Sequence, residues 1–119
     1  MKPRKYDLEE RLIDFAVMIL EFVEQLPKGY APNHLGGQLT RSGTSPALNY
    51  GEVQGAESTK DFIHKMKVCL KELRESQVCL KIIKRKPYLS GEIVDLVLKE
   101  CSELVAIFTK SIKTASKRN

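Results

Sequence analysis

The 119-residue chain has few of the residues on which active sites and base-stacking surfaces depend. It contains no tryptophan, two histidines and only 7% aromatic residues. Its longest unbroken apolar run, Phe15 to Leu20, has six residues, whereas a membrane-spanning helix needs roughly 18 or more. The basic start, Met1 to Lys5, is followed by the charged stretch from Tyr6 to Glu10 rather than by the apolar segment of a signal peptide. We therefore expect a cytoplasmic protein with no membrane contact.

Cysteine is scarce as well. Cys69, Cys79 and Cys101 are odd in number and lack a C-x-x-C spacing, which predicts buried, reduced thiols. His34 and His64 have no ligand partners at zinc-site spacing, and the paired Glu-x-x-His motifs of di-iron bundles are missing. Ser and Cys nucleophiles lack an adjacent base. The sequence therefore predicts no metal, no cofactor and no enzymatic activity.

Four segments repeat apolar residues at the 4, 3 spacing of a helix. They are residues 7–26, 33–56 and 58–86, and the stretch that follows Ser90. No segment alternates with the period of a strand. The connections have about four to six residues, which favours antiparallel neighbours. We expect one all-α domain over residues 1–119, an antiparallel up-down-up-down four-helix bundle.

The second segment has the weakest helical composition, because residues 33–56 hold five of the seven glycines together with Pro46. Its small and apolar residues nevertheless keep the helical spacing, so we expect a helix capped by Asn33 and bent near Pro46. Ser58 and Asp61 resemble a capping box at the start of the third helix. Ser90 is the expected N-cap of the fourth.

Charge is concentrated in the third segment. Residues 57–86 carry nine basic and four acidic groups, an excess equal to the formal net charge of +5 of the whole chain. Six of these basic side chains, together with His64, recur at the helical spacing on one face, with Val78 in the single gap. We call these seven residues the basic row: Lys60, His64, Lys67, Lys71, Arg74, Lys81 and Arg85.

The basic row has two interpretations. A lysine-rich outer face is the ordinary means by which a bundle stays soluble. Alternatively, a row that spans roughly 37 Å at 1.5 Å per residue is long enough to follow a nucleic-acid backbone or an acidic partner. No Phe, Tyr or Trp interrupts the row, so phosphate contacts rather than base stacking would dominate binding.

The first segment carries more apolar surface than a lone four-helix bundle uses. Beside its main apolar stripe runs a second row, Ile13, Ala16, Leu20 and Val23. An apolar arc of this width predicts an additional interface, and hence self-association.

One motif block resembles a known family. The block comprises Arg41-Ser42-Gly43-Thr44-Ser45, Asn49-Tyr50, Glu52, Ala56-Glu57-Ser58, Lys60-Asp61-Phe62-Ile63-His64-Lys65 and Leu70-Lys71-Glu72-Leu73-Arg74-Glu75. It resembles the four-helix bundle proteins encoded in intervening sequences of bacterial large-subunit rRNA genes. The Tyr6-Asp7-Leu8 start and the Leu26-Pro27 end of the first helix also fit. Pro46, Gly51 and Gly55 depart from the family pattern.

The resemblance implies an antiparallel bundle that assembles into a ring, typically a homopentamer. A related branch, the accessory proteins of diversity-generating retroelements, forms basic pentamers that bind nucleic acid and a reverse transcriptase. The resemblance gives structural roles to a set of motif residues: Arg41, Ser42, Ser45, Asn49, Tyr50 and Asp61. From the residues alone, Asn49 and Tyr50 fit either a buried hydrogen-bonded anchor or a surface recognition pair.

Two functions remain open at this point. The first is a non-enzymatic homo-oligomer that binds structured RNA or DNA through the basic row. The second is an oligomeric scaffold that docks an acidic protein and has no direct role with nucleic acid.

Overall fold

All regular structure that the computed structural model describes is helical. The description covers residues 7–118, so Met1 to Lys5, Tyr6 and Asn119 lie outside it. The helices are α1 (Leu8–Val23), α2 (Tyr30–Gln54), α3 (Thr59–Arg85) and α4 (Glu92–Lys117). Each helix packs against its neighbour in sequence, and α1 also packs against α4, whereas the backbones of the diagonal pairs, α1 with α3 and α2 with α4, lie farther apart. The predicted all-α, up-down-up-down four-helix bundle is confirmed.

The core consists of the apolar stripes that the helical spacing predicts. On every helix most of the residues that recur at the 4, 3 spacing point inward and lose nearly all contact with solvent, while Leu8, Leu35 and Phe62 are half-buried. Each fully buried Leu, Ile or Phe contributes about 1.5–3 kcal/mol relative to an exposed position. The largest of these side chains are Leu12, Phe15, Ile19 and Phe22 of α1, Leu39 of α2, Met66, Leu73, Leu80 and Ile83 of α3, and Val94, Leu104 and Phe108 of α4. None of the described helices is both long enough and apolar enough to cross a bilayer.

The start of α3 follows the predicted capping box. The Asp61 N–H donates to the Ser58 hydroxyl at 3.0 Å. The Asp61 carboxylate accepts in return from the N–H of Glu57 at 3.1 Å, one residue earlier than in the usual motif. Two backbone donors that the helix leaves unpaired are thereby satisfied.

Two predicted N-caps are wrong. Helix α2 begins at Tyr30 rather than after Asn33, whose N–H already donates to the Gly29 carbonyl at 2.9 Å. Helix α4 follows Gly91 rather than Ser90. Gly29 and Gly91 have φ values of +147° and +99°, which other residues rarely adopt. These glycines turn the chain into each helix by backbone conformation, without a side-chain cap.

Helix α2 runs without a break through its glycines and through the buried Pro46. A Cβ built on Gly43 would lie 2.7 Å from Cγ1 of Ile19 in α1, and one on Gly36 would lie 3.2 Å from Cγ1 of Val23. Two of the glycines thus let the α1 and α2 backbones approach closely, which explains a helix that propensity disfavours. The bend near Pro46 stays a prediction.

Candidate nucleic-acid interface

The structure places the whole basic row on the outer face of α3, and all seven side chains are exposed. This orientation follows from the opposite face, where the stripe from Met66 to Ile83 is buried in the core. With α2 on one side of α3 and α4 on the other, only the basic face remains in solvent. The positions in the row therefore form one continuous surface along the helix.

No member of the basic row lies within 4.0 Å of a carboxylate in residues 7–118. The two α3 lysines beside the row differ in this respect. Lys65 contacts Asp61 at 3.0 Å, and Lys84 contacts Asp95 of α4 at 2.8 Å. The charges of the row are thus available to an external anion, while their neighbours on the same helix are already paired.

An apolar patch interrupts the row, and sequence reasoning noted it only as a gap. Val78 and Ile82 are 56% and 46% exposed. They line a groove of about 850 Å³ between α2 and α3, which we call the α2–α3 groove. Its other apolar residues are Leu35, Leu70 and Cys79, and its polar rim comprises Gln38, Arg41, Ser42, Lys67, Lys71, Arg74 and Glu75. The groove needs both helices in place, so the pattern of one helix did not predict it.

Arg41 binds the two acidic residues of α3 that lie nearest the groove. Its Nη1 donates to Glu72 Oε1 and its Nη2 to Glu75 Oε1, both at 2.7 Å. The hydrogen bonds to Glu75 and Glu72 raise the pKa of Arg41, and the bond from Arg41 lowers the pKa of Glu75. Arg41 thus reaches from α2 to carboxylates that lie beside Lys71 and Arg74 on α3. The sequence identified Arg41 only through the motif block.

This ion-pair cluster predicts a pH-dependent contribution to stability. Because the folded-state pKa of Glu75 is lowered, the contribution is present above the ordinary glutamate pKa of about 4.3 and is lost as pH falls through the lowered value. We expect Arg41→Gln to lower Tm near neutral pH, with a difference from wild type that shrinks below about pH 4. Thermal unfolding followed by circular dichroism measures this. The control is Lys84→Gln, which removes the exposed ion pair between Lys84 and Asp95. A pH-independent difference in Tm between Arg41→Gln and wild type would contradict the prediction.

The remaining motif residues make contacts within the bundle. Ser42 and Ser76 share a buried hydrogen bond of 2.8 Å between α2 and α3. The half-buried Asn49 donates to Ser45 at 3.0 Å. The half-buried Tyr50 meets the ring of Phe108 edge-on, with centroids 6.3 Å apart. These contacts favour the anchor interpretation of Asn49 and Tyr50 over a surface pair.

One cluster was missed altogether. Arg11 of α1 donates from Nε and Nη2 to Glu100 of α4, at 2.6 and 2.8 Å, and from Nη2 to Glu103 at 2.7 Å. The sequence offers no signal for it, because the partners lie about 90 residues apart on helices rich in charge. The cluster joins the first helix to the last, the pair that closes the bundle.

Residues 7–118 contain no group of three or more His, Cys, Asp or Glu side chains that could hold a metal ion. The three cysteines are buried and unpaired, as predicted. Burial raises the pKa of Cys69 and Cys79 to about 11 and that of Cys101 to about 12. The thiols are therefore protonated at neutral pH and are poor nucleophiles.

Comparison with known proteins places the fold in a family. The sequence profile described as 23S rRNA-intervening sequence protein matches residues 4–110. A crystal structure from Bacteroides thetaiotaomicron, of a protein of unknown function from the S23 ribosomal protein family, superposes with a TM-score of 0.80 at 27% identity. The match covers 90% of this chain and 99% of that one. No curated protein matches the chain.

Proposed function

The chain belongs to the 23S rRNA-intervening sequence protein family, and we propose that it is a non-enzymatic cytoplasmic homo-oligomer that binds structured RNA or DNA through the basic row of α3. The observation that carries the proposal is the absence of ion-pair partners for the row within residues 7–118. A cation that is already neutralised gains little from a phosphate. When an unpaired cation neutralises a phosphate, the counterion condensed on the nucleic acid at that phosphate is released.

The chemistry of the row indicates what kind of contact it makes. Lysine and arginine side chains on one helix face reach phosphate oxygens, which position a nucleic acid without reading its bases. The row has no Phe, Tyr or Trp on which a base could stack. We therefore propose binding to the backbone of a duplex or a folded RNA, with weak dependence on sequence.

Fluorescence anisotropy with nuclease-treated protein tests the proposal. The probes are a labelled rRNA hairpin and a labelled DNA duplex, each titrated over a series of salt concentrations. We expect submicromolar binding near about 0.15 M salt, with a log-log slope steeper than about −3, because each neutralised phosphate contributes about −0.9. A flat salt response, or no binding at about 0.05 M salt, would contradict it.

A second candidate is a scaffold that docks an acidic protein. The α2–α3 groove favours it, because an apolar floor with a cationic rim fits an amphipathic helix with acidic flanks. Pull-down from cytosol with and without nuclease distinguishes the two candidates. A protein partner that survives nuclease supports the scaffold, whereas material that disappears with nuclease supports nucleic-acid binding.

A further inference from the structure

The outer face of α1 is an uncovered apolar strip. Ile13, Val17 and Leu20 are 42%, 47% and 41% exposed. Their spacing of four and three residues places them on one side of the helix, opposite Phe15, Ile19 and the rest of the buried stripe. The bundle leaves this strip in solvent, whereas Ala16 and Val23 of the predicted second apolar row are half-buried.

Acidic residues accompany the strip. Glu10, Asp14, Glu21 and Glu24, which we call the acidic row, are all exposed, and none forms an ion pair within residues 7–118. With Val17 in the middle, the five positions follow one another at spacings of 4, 3, 4 and 3. The face thus presents two carboxylates, a valine and two more carboxylates.

The outer face of α3 presents the opposite pattern. Lys71, Arg74, Val78, Lys81 and Arg85 place two cations, a valine and two more cations at spacings of 3, 4, 3 and 4. Both faces span 15 residues, and their first and last residues lie about 21 Å apart along the helix axis. Both are exposed, unpaired in charge and apolar at the centre.

We propose that α1 of one copy of this chain docks in parallel along α3 of a second copy, with Val17 against Val78 and the acidic row against the basic row. The inference rests on the homo-oligomer part of the proposed function. The inference names the two surfaces that meet in that oligomer, the outer faces of α1 and α3.

Helix geometry selects the parallel orientation. The two helices touch along a line that runs through Val17 and Val78. At 100° per residue, parallel docking puts Asp14 and Glu21 on the same side of this contact line as Arg74 and Lys81. Opposed residues then differ in height by no more than about 1.5 Å. On the other side of the line, Leu20 faces Ile82 at the edge of the α2–α3 groove. Antiparallel docking would put the carboxylates and the cations on opposite sides.

The interface joins different surfaces of the two copies. Because α1 and α3 lie on a diagonal of the bundle, with backbones farther apart than those of neighbouring helices, their outer faces point away from one another. Each copy therefore offers α1 to one neighbour and α3 to another, which generates a closed ring or a filament. If neighbouring copies are related by a rotation about an axis parallel to the bundle, α1 of one copy and α3 of the next remain parallel, as the charge pattern requires.

The interface has a consequence for nucleic acid. A neighbour's α1 covers the basic row from Lys71 to Arg85 and leaves Lys60, His64 and Lys67 in solvent. The carboxylates of α1 thus occupy the place of phosphates, and a polyanion has to displace them to use the whole row.

Charge reversal with rescue tests the interface. Sedimentation velocity of nuclease-treated protein at micromolar concentration measures self-association. We expect Asp14→Lys with Glu21→Lys, and separately Arg74→Glu with Lys81→Glu, to weaken it more than about a hundredfold, since like charges then face each other. The four substitutions in one chain should restore assembly. Glu52→Lys with Glu92→Lys, exposed positions outside α1, matches the first charge change and should leave assembly intact.

A monomeric wild type, an α1 variant that assembles like wild type, or a four-substitution chain that is folded by circular dichroism and remains monomeric would each overturn the interface. The result also separates this inference from nucleic-acid binding. The α1 variant retains the complete basic row and should bind the labelled duplex at least as tightly as wild type. Rescue of assembly without any duplex binding would support the interface and contradict the proposed function alone.

Discussion

Changing Lys67, Lys71 and Arg74 to glutamate should abolish binding of structured nucleic acid at physiological salt. The three side chains lie at the centre of the exposed face of α3 and have no internal partners in residues 7–118. Their replacement removes three phosphate contacts and adds three charges that repel the backbone. We expect affinity to fall by more than about a thousandfold and the salt slope to become shallower by about 3. Anisotropy titrations of the variant and wild type measure both quantities.

The control for this variant changes net charge without touching the row. Lys28, Lys99 and Lys113 are exposed, lie away from α3 and make no ion pair within residues 7–118. Changing all three to glutamate lowers the net charge by the same amount and should reduce affinity far less, because only diffuse attraction is lost. Equal losses in the two triple variants would mean that the net charge, rather than the α3 face, attracts the polyanion.

A change at Lys67 separates the effect on nucleic-acid binding from the effect on assembly. Lys71 and Arg74 belong both to the basic row and to the proposed interface with α1, so their reversal affects assembly and nucleic-acid binding together. Lys67 lies beyond the stretch that a neighbour's α1 covers. Lys67→Glu alone should weaken duplex binding and make the salt slope shallower by about 1. It should leave the sedimentation coefficient of the free protein unchanged.

Periodicity predicted most of the fold because the core of a bundle is a property of each helix separately. The stripe from Met66 to Ile83 was identified from spacing alone and is buried. Helix starts were harder to predict at Gly29 and Gly91, because the chain enters α2 and α4 by a positive φ that leaves no side-chain signature. Asn33 and Ser90 are good N-cap residues in the wrong positions, which propensity alone does not reveal.

The candidate site likewise contains features that the pattern of one helix predicts and features that depend on the packing of two helices. The basic row is a pattern on one helix, so its common face follows from the sequence. The Arg41 cluster and the α2–α3 groove join residues of α2 to residues of α3 that lie 25 or more positions away, and both depend on which faces of α2 and α3 meet. The acidic row is also visible in the sequence, but its exposure depends on which of two apolar arcs of α1 enters the core. The structure buries the arc that contains Phe15 and leaves Val17 outside.

Gly43→Ala should destabilise the protein although alanine is the better helix former. The added Cβ would lie 2.7, 2.8 and 3.1 Å from Cγ1, Cγ2 and Cβ of Ile19. Ile19 is fully buried and branched at Cβ, so it has no free rotamer by which to withdraw, and α1 and α2 have to separate. Overpacking of this kind costs about 1–3 kcal/mol, against a gain of about 1 kcal/mol in helix propensity. We expect a net loss of up to about 2 kcal/mol in the free energy of unfolding, measured by urea denaturation.

Gly37→Ala provides the matched control because it lies in the same helix with no atom within 4 Å of its added Cβ. Only the propensity gain applies there, so we expect stabilisation by up to about 1 kcal/mol. The two alanine substitutions should therefore shift the urea midpoint in opposite directions with the same m-value, since neither changes the surface exposed on unfolding. If Gly43→Ala also stabilised the protein, the close approach of α1 and α2 would not be the reason for glycine at this position. The continuous helix through residues 30–54 would then need another explanation.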